Sequence, residues 1–538
     1  MTFRVFVTDN IDPQGVELLK AEPRIEVDER PTMPAAKLLD IIHDYDAIIG
    51  RSATRISSEL LEAGKKLKVV GRAGVGVDNV AVDAATALGI AVINAPAGNT
   101  VAVAELFFGA LIAFLRKLGQ ADQSMREGRW DRSALLGGEL KGRTLGIVGL
   151  GRIGGEVAVR ARAFAMEVIA YDPYIQQSRF EALRVEKVDQ LETLLKRSDI
   201  ATVHTPLTDE TSGMIGEKEL ATLKSGAIVV NMARGGIVNE AALAVALRSG
   251  TIAGAVVDAF AKEPLPADHP LRGLANVFLT PHLGASTAEA QRNVAVDVCI
   301  AVRDALTSGE LSRSLNVPGG DSAEWTEIKP ALTLAKQATA VGRAILAARG
   351  SKAVTSIEVS RGSALRGFKQ PLSAAAAVGA LQHVVDDQRV NLINAASVAS
   401  ARGVSLFSAD SPAADDPWQV EIRVNGEKDS VTVSGVARPG TAPRLSRIDQ
   451  YTVDVQPRET LVVLTNRDVP GVIGHVGTLL GSSGVNIAEY HQSRLAQGGD
   501  ALAAIAVDGQ ISEAVRSKLL AIPDVRTVSV ISFRDGVT

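Results

Sequence analysis

Hydrophobic residues in the first 285 positions fall into short continuous runs. Residues 1–98 carry four of them, FRVFVTD, DAIIGRS, KVVGRAG and AVINAP, each followed by a turn or a helical pattern. Residues 99–285 continue with IATVHTP, AIVVNMA, AGAVVDAF and NVFLTP, separated by helical stretches such as EAALAVALRSG. Short apolar runs of this kind are typical of parallel strands covered by helices on both faces. The pattern predicts two α/β domains, each a Rossmann-like, doubly wound parallel sheet.

A long amphipathic pattern follows the second of these units. Residues 286–308, STAEAQRNVAVDVCIAVRDALTS, predict one helix with an apolar face. We expect this helix to cross back and pack on the first unit, which would make that unit discontinuous. The predicted domains are therefore 1–98 plus 286–315, and 99–285.

The pattern changes beyond Pro318. An alanine-rich helical stretch at about 325–349 precedes the strand VTSIEVSRG and the hairpin WQVEIRVNGEKDSVTVSGVA, which together predict an α+β domain over 316–457. From Glu459 the order is strand, helix, strand, strand, helix, strand. That order predicts a ferredoxin-like domain over 458–538.

The segment TLGIVGLGRIGGEVAVRARAFAMEVIAYDP combines a strand, a glycine-rich turn, a helix and a second strand. Gly149 would make the tight turn, Gly151 would leave room for a pyrophosphate, and Gly154 would let the helix pack close to the strand. The helix begins where the phosphates would lie, so its unpaired N–H groups face the anion. Asp172 follows Gly154 by 18 residues and suits the ribose hydroxyls of a dinucleotide. Because a carboxylate repels a 2′-phosphate, the cofactor predicted is NAD and not NADP.

Three further segments end predicted strands, at the edge where open α/β sheets bind ligands: NMARGG, DAFAKEPL and TPHLGAST. Arg234 offers a bidentate fork to a carboxylate. His282 paired with Glu263 would be a general acid/base. Taken singly, Arg234 and His282 would each more often be an ordinary loop residue than a catalytic one. Together, downstream of an NAD fingerprint, the three predict hydride transfer from a 2-hydroxy acid, with His282 taking the hydroxyl proton.

Composition narrows the function further. The 57 basic and 61 acidic residues nearly balance, which argues against a nucleic-acid or membrane-surface partner. The single cysteine, Cys299, excludes a disulfide framework and fits a reducing cytoplasm. The chain lacks H-x-x-x-H and C-x-x-C spacings, so no metal site is predicted. We find neither a signal-peptide pattern nor an apolar run long enough to span a membrane.

The combined motifs resemble the D-isomer-specific 2-hydroxyacid dehydrogenase family. The segments that carry the resemblance are RSAT, GRAGVGVDNV, NAPAGNTVAVAE, GLGRIGG, YDP, VHTPLT, NMARGGIV, DAFAKEP and PHLGAST, which cover residues 1 to about 310. The terminal RDVPGVIGHVGTLLGSSGVNI resembles an ACT domain, a small regulatory module that binds amino acids. The middle region is similar in length and position to the intervening domain of the family's long form.

The resemblance implies a role for individual residues. It makes Arg234, Glu263 and His282 the catalytic set, and it gives the nicotinamide carboxamide to Asp258 and the pyrophosphate to the backbone at Arg152 and Ile153. The cofactor residues it implies are Val75, Gly149, Gly151, Arg152, Ile153, Gly154, Asp172, Thr205, Ala233, Asp258 and Gly284. The substrate residues are Ala73, Gly74 and Val75 for the carboxylate, and Arg51, Arg132 and Lys141 as candidates for a phosphate, each of these three being equally explicable as a solvated charge. The effector residues are Asp468, Gly471 and Asn486.

The resemblance also implies an activity: NAD-dependent oxidation of 3-phospho-D-glycerate to 3-phosphooxypyruvate, the first step of L-serine biosynthesis, with L-serine as inhibitor. The alternatives are a sister enzyme acting on glyoxylate or hydroxypyruvate, a non-catalytic NAD-sensing scaffold, and an ACT domain that only assembles subunits. The apolar stretch AVAELFFGALIAFLRKLGQ is too broad for one domain to bury, so we expect a homo-oligomer, with a tetramer favoured over a dimer.

Overall fold

The computed structural model describes residues 2–318, 322–351, 353–382, 390–411 and 416–533, which fold around four β-sheets. In these ranges no helix is long and apolar enough to cross a membrane, and no group of three or more acidic, histidine or cysteine side chains is arranged to hold a metal ion.

The first sheet contains five parallel strands. Their order across the sheet is Ile25–Glu29, Phe3–Val7, Ala47–Gly50, Val69–Arg72 and Ala91–Asn94. The helices that connect them are Pro13–Lys20, Ala35–Ile41, Ser58–Ala63 and Val82–Ala87, with a short 3-10 turn at Ile42–Asp44. All four residues of Ala47–Gly50 and of Ala91–Asn94 are buried, as expected for strands covered on both faces.

The helix Ala288–Ser308 returns from the second sheet to pack on the first. Its buried face, which includes Val294, Val298 and Val302, joins the same apolar core as the strands of the first sheet. It lies so close to Pro13–Lys20 that a Cβ on Gly15 would come within 2.6 Å of the Ala295 carbonyl carbon. The chain beyond this helix is therefore also tied to the first sheet.

The second sheet contains seven parallel strands, in the order Val277–Leu279, Gly254–Val257, Ile228–Asn231, Ile200–Val203, Thr144–Val148, Glu167–Tyr171 and Glu186–Lys187. Its helices are Thr100–Leu115, Leu118–Arg126, Arg152–Ala163, Gln177–Leu183, Leu191–Arg197, Glu217–Thr222 and Glu240–Ser249. The strand order reverses beside Thr144–Val148, which pairs with Glu167–Tyr171 on one side and Ile200–Val203 on the other. Open α/β sheets bind ligands at such a reversal.

The third sheet is mixed and the fourth is antiparallel. The third runs Ser405–Asp410, Val354–Arg361, Gln419–Gly426, Ser430–Val436, Arg444–Ile448 and Tyr451–Val455, with the helices Ser322–Ala348, Lys369–Leu381 and Ala395–Ala401 and a 3-10 segment at Ser363–Phe368. The fourth runs Ile487–Arg494, Asp500–Val507, Thr460–Arg467 and Val525–Ser532, with the helices Val472–Ser482 and Glu513–Leu520. Together the four sheets comprise two parallel α/β units followed by two further sheet domains.

Candidate active site

The predicted cofactor and catalytic residues follow six neighbouring strands of the second sheet. Since parallel strands share one carboxyl edge, the segments that leave them meet there. The residues concerned are Gly149, Asp172, Thr205, Ala233, Arg234, Asp258 and His282.

The glycine turn after Thr144–Val148 is shaped to admit a ligand. Gly149 has φ +95°, and a Cβ there would lie 2.8 Å from the His204 carbonyl oxygen. A Cβ on Gly154 would lie 2.1 Å from the Gly149 oxygen, so only glycine allows the helix this close to the turn. At Gly151, by contrast, a Cβ would meet no heavy atom within 4 Å. This open space lies against the first amides of the helix Arg152–Ala163, a favourable position for a pyrophosphate.

Two polar side chains border this turn. Asp172 accepts hydrogen bonds from the amides of Leu150 (2.8 Å) and Tyr174 (3.0 Å), which fix its carboxylate beside the turn and leave further lone pairs for ribose hydroxyls. The Thr205 hydroxyl is buried and has no hydrogen-bond partner in the described part of the chain. An unpaired buried hydroxyl is costly unless a ligand satisfies it. The residues present therefore fit a bound dinucleotide.

His282 and Glu263 form a close pair. The His282 Nδ1 atom lies 2.9 Å from Glu263 Oε1 and 2.8 Å from Oε2, with both side chains about half exposed. Because an ionised carboxylate only accepts hydrogen bonds, Nδ1 must carry the proton, and Nε2 is left with a free lone pair. The structure thus brings together two residues that lie 19 positions apart in the sequence, with His282 in the tautomer that a general base requires.

Asp258 fixes the loop that carries His282. Its side chain is fully buried and accepts from the Thr280 hydroxyl (2.6 Å) and from the amides of Leu283 (2.7 Å) and Gly284 (3.0 Å). These donors flank His282, which itself has a left-handed φ of +54°. The loop is therefore held on both sides of the histidine. The contact of Asp258 with a carboxamide stays a prediction.

Arg234 reaches across to the first sheet domain. Its Nε donates to Asp78 Oδ2 at 3.0 Å, and its Nη1 donates to the Ala233 carbonyl at 2.7 Å. Its Nη2 lies over Gly76, where a Cβ would come within 2.0 Å of it. The guanidinium thus lies in the cleft between the two α/β units, beside the loop that follows Val69–Arg72.

The backbone amides of that loop differ in their hydrogen bonds. The Ala73 amide donates to the Gly50 carbonyl (2.9 Å) and the Gly74 amide to the Arg72 carbonyl (2.8 Å). Both amides have acceptors within the chain, and their contact with a carboxylate stays a prediction. In the described ranges, the amides of Val75 and Gly76 have no such acceptor, so they are the donors left for a ligand.

Sequence reasoning also missed Arg72, which follows the apolar run KVVG directly. Its guanidinium is largely buried, and burial together with the charges of Arg234 and Arg51 lowers the pKa of Arg72 to about 10. Its Nε is buried with no hydrogen-bond partner among the described residues. Asp78 and Asp9 offset this positive charge in part. The available signal was a charged residue at the end of an otherwise apolar strand.

Arg132 and Lys141 are not brought to this cleft within one chain. Lys141 precedes Thr144–Val148 and so lies at the amino end of that strand, opposite to the edge that carries Gly149. Arg132 lies on the exposed segment after the helix Leu118–Arg126. Of the three basic candidates for a phosphate, only Arg51 lies near the loop of Arg72.

The structure does not bring the predicted effector residues together: Asp468 and Gly471 lie at one end of the fourth sheet and Asn486 at the opposite end, where Ile487 pairs with Val507. Asp468 accepts from Arg494 (2.8 Å) and from the Gly498 amide (3.2 Å), and these contacts lower the pKa of Asp468. Asn486 donates to Asp508 at 2.6 Å. Gly471, with φ +99°, begins the helix Val472–Ser482. An amino acid bound here would therefore have to compete with Arg494 for the carboxylate of Asp468.

This fold and this site together define the class of D-isomer specific 2-hydroxyacid dehydrogenases. The family model of their NAD binding domain matches residues 108–284, which include the glycine turn and the three residues Arg234, Glu263 and His282.

Comparison with whole chains narrows the class. The D-3-phosphoglycerate dehydrogenase of Synechocystis sp. is 37% identical over 525 residues, covering 97% of this chain and 93% of the relative. The Bacillus subtilis enzyme of the same name is 37% identical and covers 98% and 99%. A crystal structure of the NAD⁺-bound 3-phosphoglycerate dehydrogenase of Entamoeba histolytica is 27% identical, with a TM-score of 0.51 over 59% of this chain and 99% of that one. The chain belongs to the D-3-phosphoglycerate dehydrogenase family, and it is an NAD-dependent dehydrogenase.

Proposed function

We propose that this protein oxidises 3-phospho-D-glycerate to 3-phosphooxypyruvate with NAD, the first step of L-serine biosynthesis. The observation that carries the proposal is the His282–Glu263 pair, which lies on the same sheet edge as the glycine turn. Arg234 follows another strand of that edge, contacts Asp78 of the first sheet domain and is close to Arg72. The names of its full-length relatives support the substrate.

In this proposal His282 is the acid/base. Its Nε2 takes the proton of the C2 hydroxyl while Glu263 stabilises the imidazolium that forms. NAD, which the glycine turn and Asp172 would hold, would supply the acceptor for the C2 hydride, and the alcohol would become a ketone. Arg234 and the amides of Val75 and Gly76 hold the neighbouring carboxylate and polarise the forming carbonyl. A side chain at position 76 would clash with Arg234, which explains the glycine there.

Arg72 and Arg51 bind the phosphate. A buried guanidinium beside two other arginines is unfavourable without an anion, since its pKa is lowered by both burial and repulsion. A substrate with a carboxylate and a phosphate supplies an anion to Arg234 through its carboxylate and to Arg72 and Arg51 through its phosphate. With a non-phosphorylated acid, the charge of Arg72 would be offset only in part, by Asp78 and Asp9, which favours the phosphate ester over glyoxylate or hydroxypyruvate.

The cofactor residues keep the roles assigned from the sequence. Gly149, Gly151 and Gly154 shape the turn, the amides of Arg152 and Ile153 meet the pyrophosphate, and Asp172 binds the adenosine ribose. The remaining contacts proposed are Val75, Thr205, Ala233, Asp258 and Gly284. The unpaired hydroxyl of Thr205 is the most direct support, because a buried donor without a partner calls for a ligand.

We further propose the domain roles. Residues 1–98 with 286–315 bind the substrate, 99–285 bind NAD, 316–457 form the intervening domain, and 458–538 form an ACT domain that binds L-serine as feedback inhibitor. The left-handed Gly471 at the start of Val472–Ser482, beside Asp468, supports an amino-acid site. The last five residues of this span lie outside the described ranges.

We also propose a homo-oligomer, with a tetramer favoured over a dimer. Met125, near the end of the helix Leu118–Arg126, is 56% exposed, and Trp130 and Leu136, which follow that helix, are 79% and 82% exposed. A surface with several large apolar side chains favours a partner copy. A cytoplasmic location is supported by the single cysteine, Cys299, because a chain with one cysteine forms no disulfide of its own.

The test is NADH formation with 3-phospho-D-glycerate, D-glycerate and D-lactate side by side, each with and without millimolar L-serine. We expect strong preference for the phosphorylated acid and inhibition by serine. Turnover without a serine effect would remove the effector proposal and leave the enzyme. No preference for the phosphate would remove the roles of Arg72 and Arg51 and favour a sister enzyme.

A further inference from the structure

The second sheet domain contains another carboxylate–histidine pair besides Glu263 and His282. Glu240 begins the helix Glu240–Ser249, and His269 lies in the segment that follows Glu263. The Glu240 Oε2 atom is 2.8 Å from His269 Nε2, and each side chain is only 13% exposed. Neither residue has a role in the proposed chemistry, and a buried pair of this kind is costly to assemble unless it organises its surroundings.

Glu240 also holds the loop that carries Glu263. Its second oxygen, Oε1, accepts from the Ala261 amide at 2.6 Å. The preceding amide, of Phe260, donates to Glu263 Oε1 at 3.0 Å. Two consecutive amides of this loop are thus bound by two different carboxylates, of which one is the partner of His282.

The same stretch of backbone touches the loop of Arg234. A Cβ on Gly235 would lie 1.9 Å from the Phe260 carbonyl carbon and 2.2 Å from the Ala261 nitrogen, so the two backbones are in direct contact. The peptide between Phe260 and Ala261 therefore links Arg234 on one side with Glu263 on the other. A shift of this peptide would move both.

His269 fixes Glu240 in turn. The Leu271 amide donates to His269 Nδ1 at 3.4 Å, so Nε2 carries the proton and donates it to Glu240. The ring also packs edge-to-face on the buried Phe260, with ring centroids 6.3 Å apart. Glu240 is thereby an ionised acceptor with a donor on each oxygen.

We propose that Glu240, held by His269, is a positioning residue for the catalytic pair. It fixes the Phe260–Ala261 peptide so that Glu263 meets His282 Nδ1 and Arg234 keeps its place in the cleft. This inference rests on the roles proposed above for His282 and Glu263.

The experiment compares Glu240→Ala and Glu240→Gln with the control Glu192→Ala. Glu192 is a first-turn glutamate of another helix in the same domain and pairs with the exposed Lys196. For Glu240→Ala we expect kcat to fall about 10- to 100-fold, since a misplacement of about 1 Å suffices for such a loss. The acidic limb of the pH profile of kcat/KM should move to lower pH, because the imidazolium loses part of its stabilising carboxylate. KM for NAD should stay unchanged.

Glu240→Gln should lose less activity than Glu240→Ala, because its amide oxygen still accepts from Ala261 while its NH2 group faces the N–H of His269. If Glu240→Ala fails to fold, Glu240→Asp replaces it. That variant keeps the charge but withdraws the carboxylate from Ala261, and it should show the same fall in kcat and the same shifted limb.

A variant that melts at a lower temperature yet keeps the wild-type kcat per folded molecule and the wild-type pH profile would overturn the inference. Measuring His282→Asn in the same assay distinguishes failure of the positioning role from failure of the proposed function. If His282→Asn loses activity and the Glu240 variants do not, only the positioning role fails. If His282→Asn keeps wild-type activity, the proposed function fails and the positioning role fails with it.

Discussion

Replacing Arg72 with methionine should stabilise the first domain and weaken binding of a phosphorylated substrate at the same time. The fall in the pKa of Arg72 to about 10 corresponds to about 3 kcal/mol of unfavourable free energy at neutral pH. The effective destabilisation is about 1 to 2 kcal/mol, because the guanidinium is partly exposed and solvent screens its charge. Methionine keeps most of the apolar stem and removes the charge, so the folded chain should gain that amount.

The same substitution should weaken binding of 3-phospho-D-glycerate. A charge-assisted hydrogen bond to a phosphate contributes about 1.5 to 3 kcal/mol, so KM for 3-phospho-D-glycerate should rise about 10- to 100-fold. KM for D-glycerate, which lacks the phosphate, should change little. The selectivity ratio between the two acids therefore falls by the same factor.

The assay measures thermal unfolding without substrate and kcat/KM for both acids, with Arg55→Met as the control. Arg55 is an exposed arginine of the same domain, one residue after the buried Thr54. An Arg72→Met variant that is destabilised relative to this control, or that keeps the wild-type preference for the phosphorylated acid, would refute the reasoning.

Three further predictions concern the second sheet domain. Gly149→Ala should weaken NADH binding about tenfold, because a left-handed conformation costs a residue with a side chain about 1 to 2 kcal/mol and the new Cβ meets the His204 oxygen. The control Gly273→Ala, at a site with open space, should bind NADH as the wild type does. Equal NADH affinity of the two variants would contradict the role of the turn. Asp172→Asn should narrow the preference for NAD over NADP in kcat/KM, since the repulsion of a 2′-phosphate is removed; an unchanged ratio would count against the ribose contact. Burial lowers the pKa of His204 to about 4, so the unfolded chain binds a proton that the folded chain does not between about pH 6.5 and 4. Stability should therefore fall as pH falls through this interval, and His204→Leu should flatten the pH dependence of the melting temperature; a parallel curve in the variant would exclude this origin.

The parallel sheets and the cofactor turn could be predicted because their signals are local. The spacing of Gly149, Gly151 and Gly154 predicts the turn from six consecutive positions, although the chain that crowds Gly149 is at His204, 55 residues further along. The strand Ile25–Glu29 escaped prediction for the opposite reason. It lies at the edge of its sheet, and Ile25 is its one buried residue. Its sequence IEVDE contains three acidic and two apolar residues. An edge strand needs no continuous apolar run, so its pattern is weak.

The site could be predicted only in part, since its remaining features are long-range. The hydrogen bonds of the Ala73 and Gly74 amides to the Gly50 and Arg72 carbonyls are visible only in the folded backbone. Arg72 is recognisable as a site residue only because it is buried beside Arg234, which is 162 residues further along the chain. The contact of Glu240 with Ala261 and His269 likewise joins three segments that no motif connects.

The most direct test of the account is the rate of NADH formation from 3-phospho-D-glycerate by His282→Asn, with NADH affinity measured on the same protein. If His282 is the base held by Glu263, kcat should fall about 10²- to 10⁴-fold, the range for loss of a general base, while NADH binds as in the wild type. A variant that binds NADH normally and oxidises the substrate at a rate close to the wild-type rate would contradict the account.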